Sequence, residues 1–472
     1  MRSLFILFGS ISLLGACASV GVGGIIPSLS KVPVSDIPQI TPNNWSAEYA
    51  SDDSVRYLDW VSSFDDPELQ KLVSEALANN RNLAASSARL QQSLALAKIS
   101  GSARLPSVSL GGSATGTALP NAPNTEGYGG NVTASWELDL WGRVRDRAKA
   151  SASDAAAAQA DFEALQLSVA GQTASAWIDL IAASQQAALA ADDVTTRERS
   201  FGIVERRYNS GLSTSLDIRL ARSALAGSRA NVAFQKQQHA NATRRLEILL
   251  GRYPAHAIKA LAVLPTISAL GSIASPEDVL IRRPDIRVAE YRLAASGLRV
   301  AEARKALLPS LILRGSASTN GSQIADIFDL NRVIGSLVGS VTQPLFAGGS
   351  IKAGISRSEA AQREQLARYA QTVLIAWREV EDALSGEKYL LQRENALVVS
   401  VAEAKEAERL AEREYVRGVG TIFELLDAQR RRISAEGQLI TAASARASNR
   451  IALFLALGGS NEIVAENTAK SG

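Results

Sequence analysis

The chain has 472 residues, of which 46% are hydrophobic, enough for a large core and for two or three domains. Its 50 basic and 47 acidic side chains leave a formal charge of +3, and the two signs interleave, so no basic stripe exists to hold nucleic acid. A single cysteine excludes an internal disulfide, and two histidines, His239 and His256, with no companion Cys or third His make no zinc set. No phosphate-cradling loop, nucleophile motif or histidine cluster appears, so neither an enzyme nor a bound cofactor or metal is expected.

The N-terminus has one charge, Arg2, then an apolar stretch from Leu4 to Leu14, then Gly15, Ala16 and Cys17, the layout of a secretory signal over residues 1–16. A bilayer span needs about 20 apolar residues, roughly twice this stretch. Leu14-Gly15-Ala16-Cys17 resembles a bacterial lipobox, which implies cleavage before Cys17 and acylation of that residue, palmitate included. An ordinary cleavage site beside a chance thiol is the alternative. One acyl chain anchors only marginally, so stable attachment would take more than one on Cys17. By resemblance to known lipoproteins, Ala18 after the cysteine, in place of Asp, points to the outer membrane. An extended segment, 17–65, then leads into the body of the chain.

Residues 66–251 and 275–458 run through the same features about 200 positions apart, a tandem duplication. Arg104-Leu105-Pro106-Ser107 answers Leu307-Leu308-Pro309-Ser310, Leu140-Trp141-Gly142 answers Leu345-Phe346-Ala347-Gly348, and Trp177 answers Trp377. A tail, 459–472, follows.

Each half opens with a helical segment and then two strand-like runs. Residues 131–141 alternate: Val132, Ala134, Trp136, Leu138 and Leu140 on one face, Asn131, Thr133, Ser135, Glu137 and Asp139 on the other. Residues 107–117 are the expected partner, with 309–319 and 333–345 their equivalents. A hairpin on a soluble core would explain such alternation. In an exported, anchored chain it is also the signature of a transmembrane barrel, dry outside and wet inside. Four strands cannot close a barrel, which needs about eight or more, so the barrel reading forces oligomerisation, and three chains would supply twelve.

After each strand pair a long stretch follows without proline: Arg143 to Phe201, broken only by Gly171, and Ile355 to Arg417, broken only by Gly386. About 60 residues of helix make a rod of roughly 90 Å. Leu366, Val373 and Val380 make one heptad row and Trp377, Leu384, Leu391 and Val398 another, a seam for neighbouring helices. The rods turn at Tyr208-Asn209-Ser210-Gly211 and Tyr415-Val416-Arg417-Gly418, where glycine stops one helix and Ser213 or Thr214, and Thr421, can cap the returning one.

Lipobox, repeats and local runs together resemble the TolC-like outer-membrane efflux proteins, lipoprotein branch, over almost the whole mature chain. Trp60-Val61-Ser62-Ser63-Phe64-Asp65-Asp66-Pro67-Glu68-Leu69 resembles that branch's entry motif, Arg282-Arg283-Pro284-Asp285-Ile286 its mid-chain signature, and Leu426-Asp427-Ala428-Gln429-Arg430 the start of its last long helix. The resemblance implies a homotrimer with a 12-stranded β-barrel, four strands per chain, continued by a long periplasmic α-helical barrel. It further implies a passive exit duct for drugs, toxic small molecules or metals, fed by a periplasmic adaptor and an inner-membrane transporter of the resistance-nodulation-division class. The hairpin tips are then the adaptor contacts, with Tyr208, Gly211, Tyr415 and Gly418 the candidates. Asp427, and Asp217 in the first half, are candidates for a carboxylate gate, against the reading of solvated aspartates in a helix's first turns. Glu414 stands in the second tip where Arg207 stands in the first, so an arginine lock at the second tip is not expected. The exit duct of a type I protein-secretion system and a non-channel periplasmic scaffold are the alternatives.

Overall fold

The computed structural model describes residues 60–119, 122–261 and 273–459, with 42, 44–47, 263–265, 267 and 270 besides. The expected signal peptide, Cys17, most of segment 17–65 and the tail beyond 459 lie outside the described residues.

Each half of the chain begins with a short helix entered at a proline. Helix α1 spans Pro67–Asn79 and is capped by Asp66, whose Oδ1 accepts from the backbone N–H groups of Glu68 and Leu69. Helix α2 spans Arg81–Ser102. Strands β1 (Ser107–Leu119) and β2 (Ala122–Leu138) follow, then α3 (Arg143–Asn209) and α4 (Ser215–Leu249). The second half supplies α5 (Pro276–Arg282), α6 (Pro284–Lys305), β3 (Ser310–Gly321), β4 (Ile334–Thr342), α7 (Ser350–Arg417) and α8 (Ile422–Ala456).

The two strand pairs join in one antiparallel sheet, ordered β1-β2-β3-β4, with β2 of the first half hydrogen-bonded to β3 of the second. The halves are therefore interwoven. The register puts Leu110, Val132 and Ala317 in one row and Val108, Ala134, Gly315 and Leu337 in the next, all on one face. The other face carries Ser109, Thr133, Ser316 and Ser336.

Strands β1 and β3 lie within two residues of the spans expected, and β2 and β4 depart further. Strand β2 begins at Ala122, because Gly127, Gly129 and Gly130 carry no side chain and erase the alternation that marks a strand. It ends at Leu138, because Asp139 accepts from the N–H groups of Val144 and Arg145 and so starts α3. Gly142, at φ 76°, makes that turn, and Trp141 leaves the strand to donate its indole N–H to Pro309 O at 2.7 Å. Strand β4 stops at Thr342, two residues before Pro344, which has no N–H to give a ladder.

The rods are longer than the spans expected. Helix α3 has 67 residues and α7 has 68, about 100 Å each at 1.5 Å per residue. Neither breaks at its central glycine. A Cβ on Gly171 would lie 2.3 Å from Leu455 Cδ1, and one on Gly386 would lie 2.3 Å from Asn449 Oδ1. Both glycines are places where α8 side chains close on a rod, so a Cβ there would force Leu455 or Asn449 to shift.

The main core lies midway along the helical part, where Trp60, Phe64, Leu69 and Leu72 pack against Trp177 and Ile178 of α3, Leu246 of α4, and Ile451 and Phe454 of α8. Burying one such side chain stabilises by about 1.5–3 kcal/mol. The return helices end here, each capped from the other end of its half. Asn80 Nδ2 donates to Leu249 O at 2.8 Å, and Arg283 Nη1 donates to Ala456 O at 2.9 Å. Arg283 is buried and also holds Asp285 and Glu379. Among those residues Pro284 is the first of α6, so the Arg-Arg-Pro-Asp run ties helix starts to a helix end.

Candidate functional site at the hairpin tips

The two hairpins, α3–α4 and α7–α8, end side by side. Ser210 and Gly211 close α3: Gly211, at φ 72°, donates to Tyr208 O at 2.9 Å, and Leu212 donates to Arg207 O at 2.8 Å. Gly418, at φ 82°, does the same for α7, donating to Tyr415 O, while Val419 donates to Glu414 O. A Cβ would strain the left-handed backbone at Gly211 and Gly418, which accounts for both glycines. Each return helix starts with a reciprocal capping box, Thr214 with Asp217 and Thr421 with Glu424.

The two candidate tyrosines are not equivalent. Tyr208 is 41% exposed and faces outward, whereas Tyr415 is 3% exposed and packs with Val204, Ala221, Ile422 and Leu425. Arg207 of the first tip covers it. The guanidinium sits 5.1 Å from the Tyr415 ring centroid, and its Nη1 donates to Tyr415 O at 3.2 Å and Val416 O at 3.3 Å. Ser213 Oγ lies 3.2 Å from the Tyr415 hydroxyl. One arginine thus satisfies the carbonyl end of α7 and joins the two hairpins. The sequence reading set Arg207 against Glu414 and expected no arginine lock at the second tip, but it did not foresee that Arg207 itself reaches across to that tip. The signal was the pairing of Arg207 with Glu414 at the equivalent position, which puts an arginine there in the first tip alone.

The aspartates also differ from one another. Asp217 spends its carboxylate on the capping box, accepting from Thr214 N at 2.9 Å. Asp427 lies on α8 past its first turn and accepts from Arg430 and from Arg431, the latter at 2.6 Å. The hydrogen bonds from Arg430 and Arg431 hold its carboxyl below the usual aspartate range. It is therefore a charged group inside a local Arg-Asp-Arg cluster on a half-exposed helix face. Around both tips Leu212, Val416, Val419 and Phe423 are exposed, an apolar rim beside Tyr208.

A family profile described as outer membrane efflux protein matches residues 72–252 and 275–459. The chain belongs to the outer membrane efflux protein family. Among its relatives, the pyoverdine export outer membrane protein OpmQ of Pseudomonas putida is 31% identical over 85% of this chain and 87% of that protein. The outer membrane protein OprJ of Pseudomonas aeruginosa is 30% identical, covering 96% of each, and the cation efflux system protein CusC of Escherichia coli is 26% identical, covering 95% and 99%. The solved outer-membrane channel OprN superposes with a TM-score of 0.80 at 29% identity over 89% of this chain and 98% of that one. The expected TolC-like efflux channel, with a four-strand barrel contribution and long helical rods in two repeats, is borne out. This efflux protein is an outer-membrane channel subunit.

Proposed function

We propose that three copies of the chain close one 12-stranded barrel in the outer membrane and continue it as a periplasmic tunnel of helices. The observation that carries this reading is the open sheet. Its edge strands, β1 and β4, have no further neighbour among the described residues, and Val108, Leu110, Leu337 and Val341 of the apolar face are all more than two-thirds exposed. A membrane accepts backbone edges only when another strand covers them. Three chains remove every edge and turn the apolar face to lipid.

In this reading acyl chains on Cys17 fasten each protomer to outer-membrane lipid, and no other cofactor is needed. The apolar rim around Tyr208, with Gly211 and Gly418 shaping it and Tyr415 bracing it from within, docks a periplasmic adaptor. An inner-membrane transporter of the resistance-nodulation-division class delivers the cargo, and the duct itself is passive. Relatives named for pyoverdine export and for cation efflux align with 85% and 95% of this chain, which favours a cargo choice made by the transporter beneath. Asp427, with Asp217 as its counterpart in the first half, gates the periplasmic end, where three copies of each would meet.

The test is the oligomer mass of the detergent-extracted protein together with its single-channel conductance in planar bilayers. A three-chain species forming discrete pores is expected. A monomer that never conducts, even with Asp217 and Asp427 neutralised, would overturn the reading.

A further inference from the structure

Three residues of the four strands carry a charge: Glu126, Glu137 and Arg314. Two of them are occupied. Glu126 accepts from the Tyr128 hydroxyl near the β1–β2 turn, and Glu137 is paired with Arg143 at 2.6 Å where the sheet meets α3. Arg314 of β3 is exposed, and its guanidinium makes no hydrogen bond or ion pair among the described residues.

The register fixes the face on which it stands. Arg314 lies opposite Ser135 of β2 and Val338 of β4, and Ser135 lies opposite Ser107 of β1. One row further from the helices, Ser109, Thr133, Ser316 and Ser336 align across all four strands. The hydroxyls of Ser109 and Thr133 are 2.7 Å apart and those of Ser316 and Ser336 are 2.8 Å apart. The opposite face carries Leu110, Val132, Trp136, Leu313, Leu337 and Val341. Arg314 therefore shares the hydroxyl-bearing face, which is the lumen once the apolar face meets lipid.

We propose that Arg314, repeated once per chain, forms a guanidinium ring that makes the barrel lumen attract oxyanions and other small anions, with the adjacent row of hydroxyls donating to them. This rests on the closed barrel argued above. The chemistry favours it: a guanidinium stays charged at every physiological pH and offers a planar fork to carboxylate, sulfate or phosphate. Rings of Arg or Lys are how pores prefer anions. The neighbouring hydroxyls add donors without adding charge. The Glu137–Arg143 pair below is internally neutral and does not cancel the ring. A wide, wet lumen screens charge over about 8 Å at physiological salt, so the ring biases passage and leaves the pore permeable to both signs.

The experiment is the reversal potential of single pores under a KCl gradient at low ionic strength, for wild type, Arg314→Gln and Arg314→Glu. The chloride-to-potassium permeability ratio is expected to fall by about two- to threefold in Arg314→Gln and further in Arg314→Glu, with the differences shrinking near 1 M salt, where screening is shortest. Arg314→Cys adds a second readout, because Cys17 is the only natural cysteine and wild type treated in parallel controls for it. An ethylammonium thiol reagent should restore the wild-type ratio, and an ethylsulfonate reagent should move it the other way. Identical reversal potentials for Arg, Gln and Glu at 314 overturn the ring and leave the channel standing. Failure to form pores both by wild type and by the protein with Asp217 and Asp427 neutralised overturns the channel reading beneath it.

Discussion

The indole N–H of Trp177, in the middle of α3, donates to Asp66 Oδ2 at 2.7 Å across a sequence separation of 111 residues. The same carboxylate caps α1 through its other oxygen, so one buried side chain starts a short helix and pins it to a rod. The second repeat copies the arrangement with weaker chemistry. Trp377 Nε1 reaches the carbonyl of Pro276, the first residue of α5, at 3.4 Å.

That difference predicts an asymmetric response to substitution. Asp66→Ala loses the cap, about 1 kcal/mol, and leaves a buried indole donor unmet, about 1–3 kcal/mol more. Trp377→Phe loses only a long hydrogen bond and should cost about 1 kcal/mol or less. Guanidinium unfolding followed by helical circular dichroism in detergent measures both. Equal losses at the two sites would show that the Asp66–Trp177 bond adds nothing special.

Arg207 is expected to hold the tips together. Arg207→Ala removes the cation over Tyr415 and both bonds to the end of α7, so the hairpins should part more readily and pore conductance should rise. Arg207→Lys restores the charge but cannot fork two carbonyls, and it should rescue only in part. Conductance of Arg207→Ala equal to wild type would remove the tip lock from the account.

Asp427 makes a prediction with a sign. Hydrogen bonds from Arg430 and Arg431 depress its folded-state pKa. The charged pairing is then complete above the ordinary aspartate range and is lost only as pH falls through the lower folded value. Asp427→Ala should loosen or reshape the gate at neutral pH. The conductance ratio of wild type to Asp427→Asn should stay constant from pH 7 to pH 5. A step in that ratio within the interval would mean that Asp427 is not held ionised.

Much of the architecture was legible because it is written in short-range periods. Alternation marked residues 131–141 as a strand, of which 131–138 are one, the absence of proline marked both rods, and Gly211 and Gly418 marked their ends. Strand β2 before Asn131 was hidden because glycines carry no period. Gly171 and Gly386 read as breaks in the rods, yet they are contact points for α8, a fact that depends on a helix nearly 300 residues away in the first case and over 60 in the second.

By itself the sequence determined the two repeats, the placement of strands, rods and turns, and the likeness to outer-membrane efflux channels, since each rests on spacing between near neighbours or on order along the chain. The tertiary structure alone decided that β2 pairs with β3, that Arg207 crosses from one hairpin to cover Tyr415 in the other, and that the Arg314 side chain has no partner among the described residues on the polar face. Those outcomes depend on which distant segments arrive side by side, and local periodicity carries no record of a meeting between residues far apart in the chain.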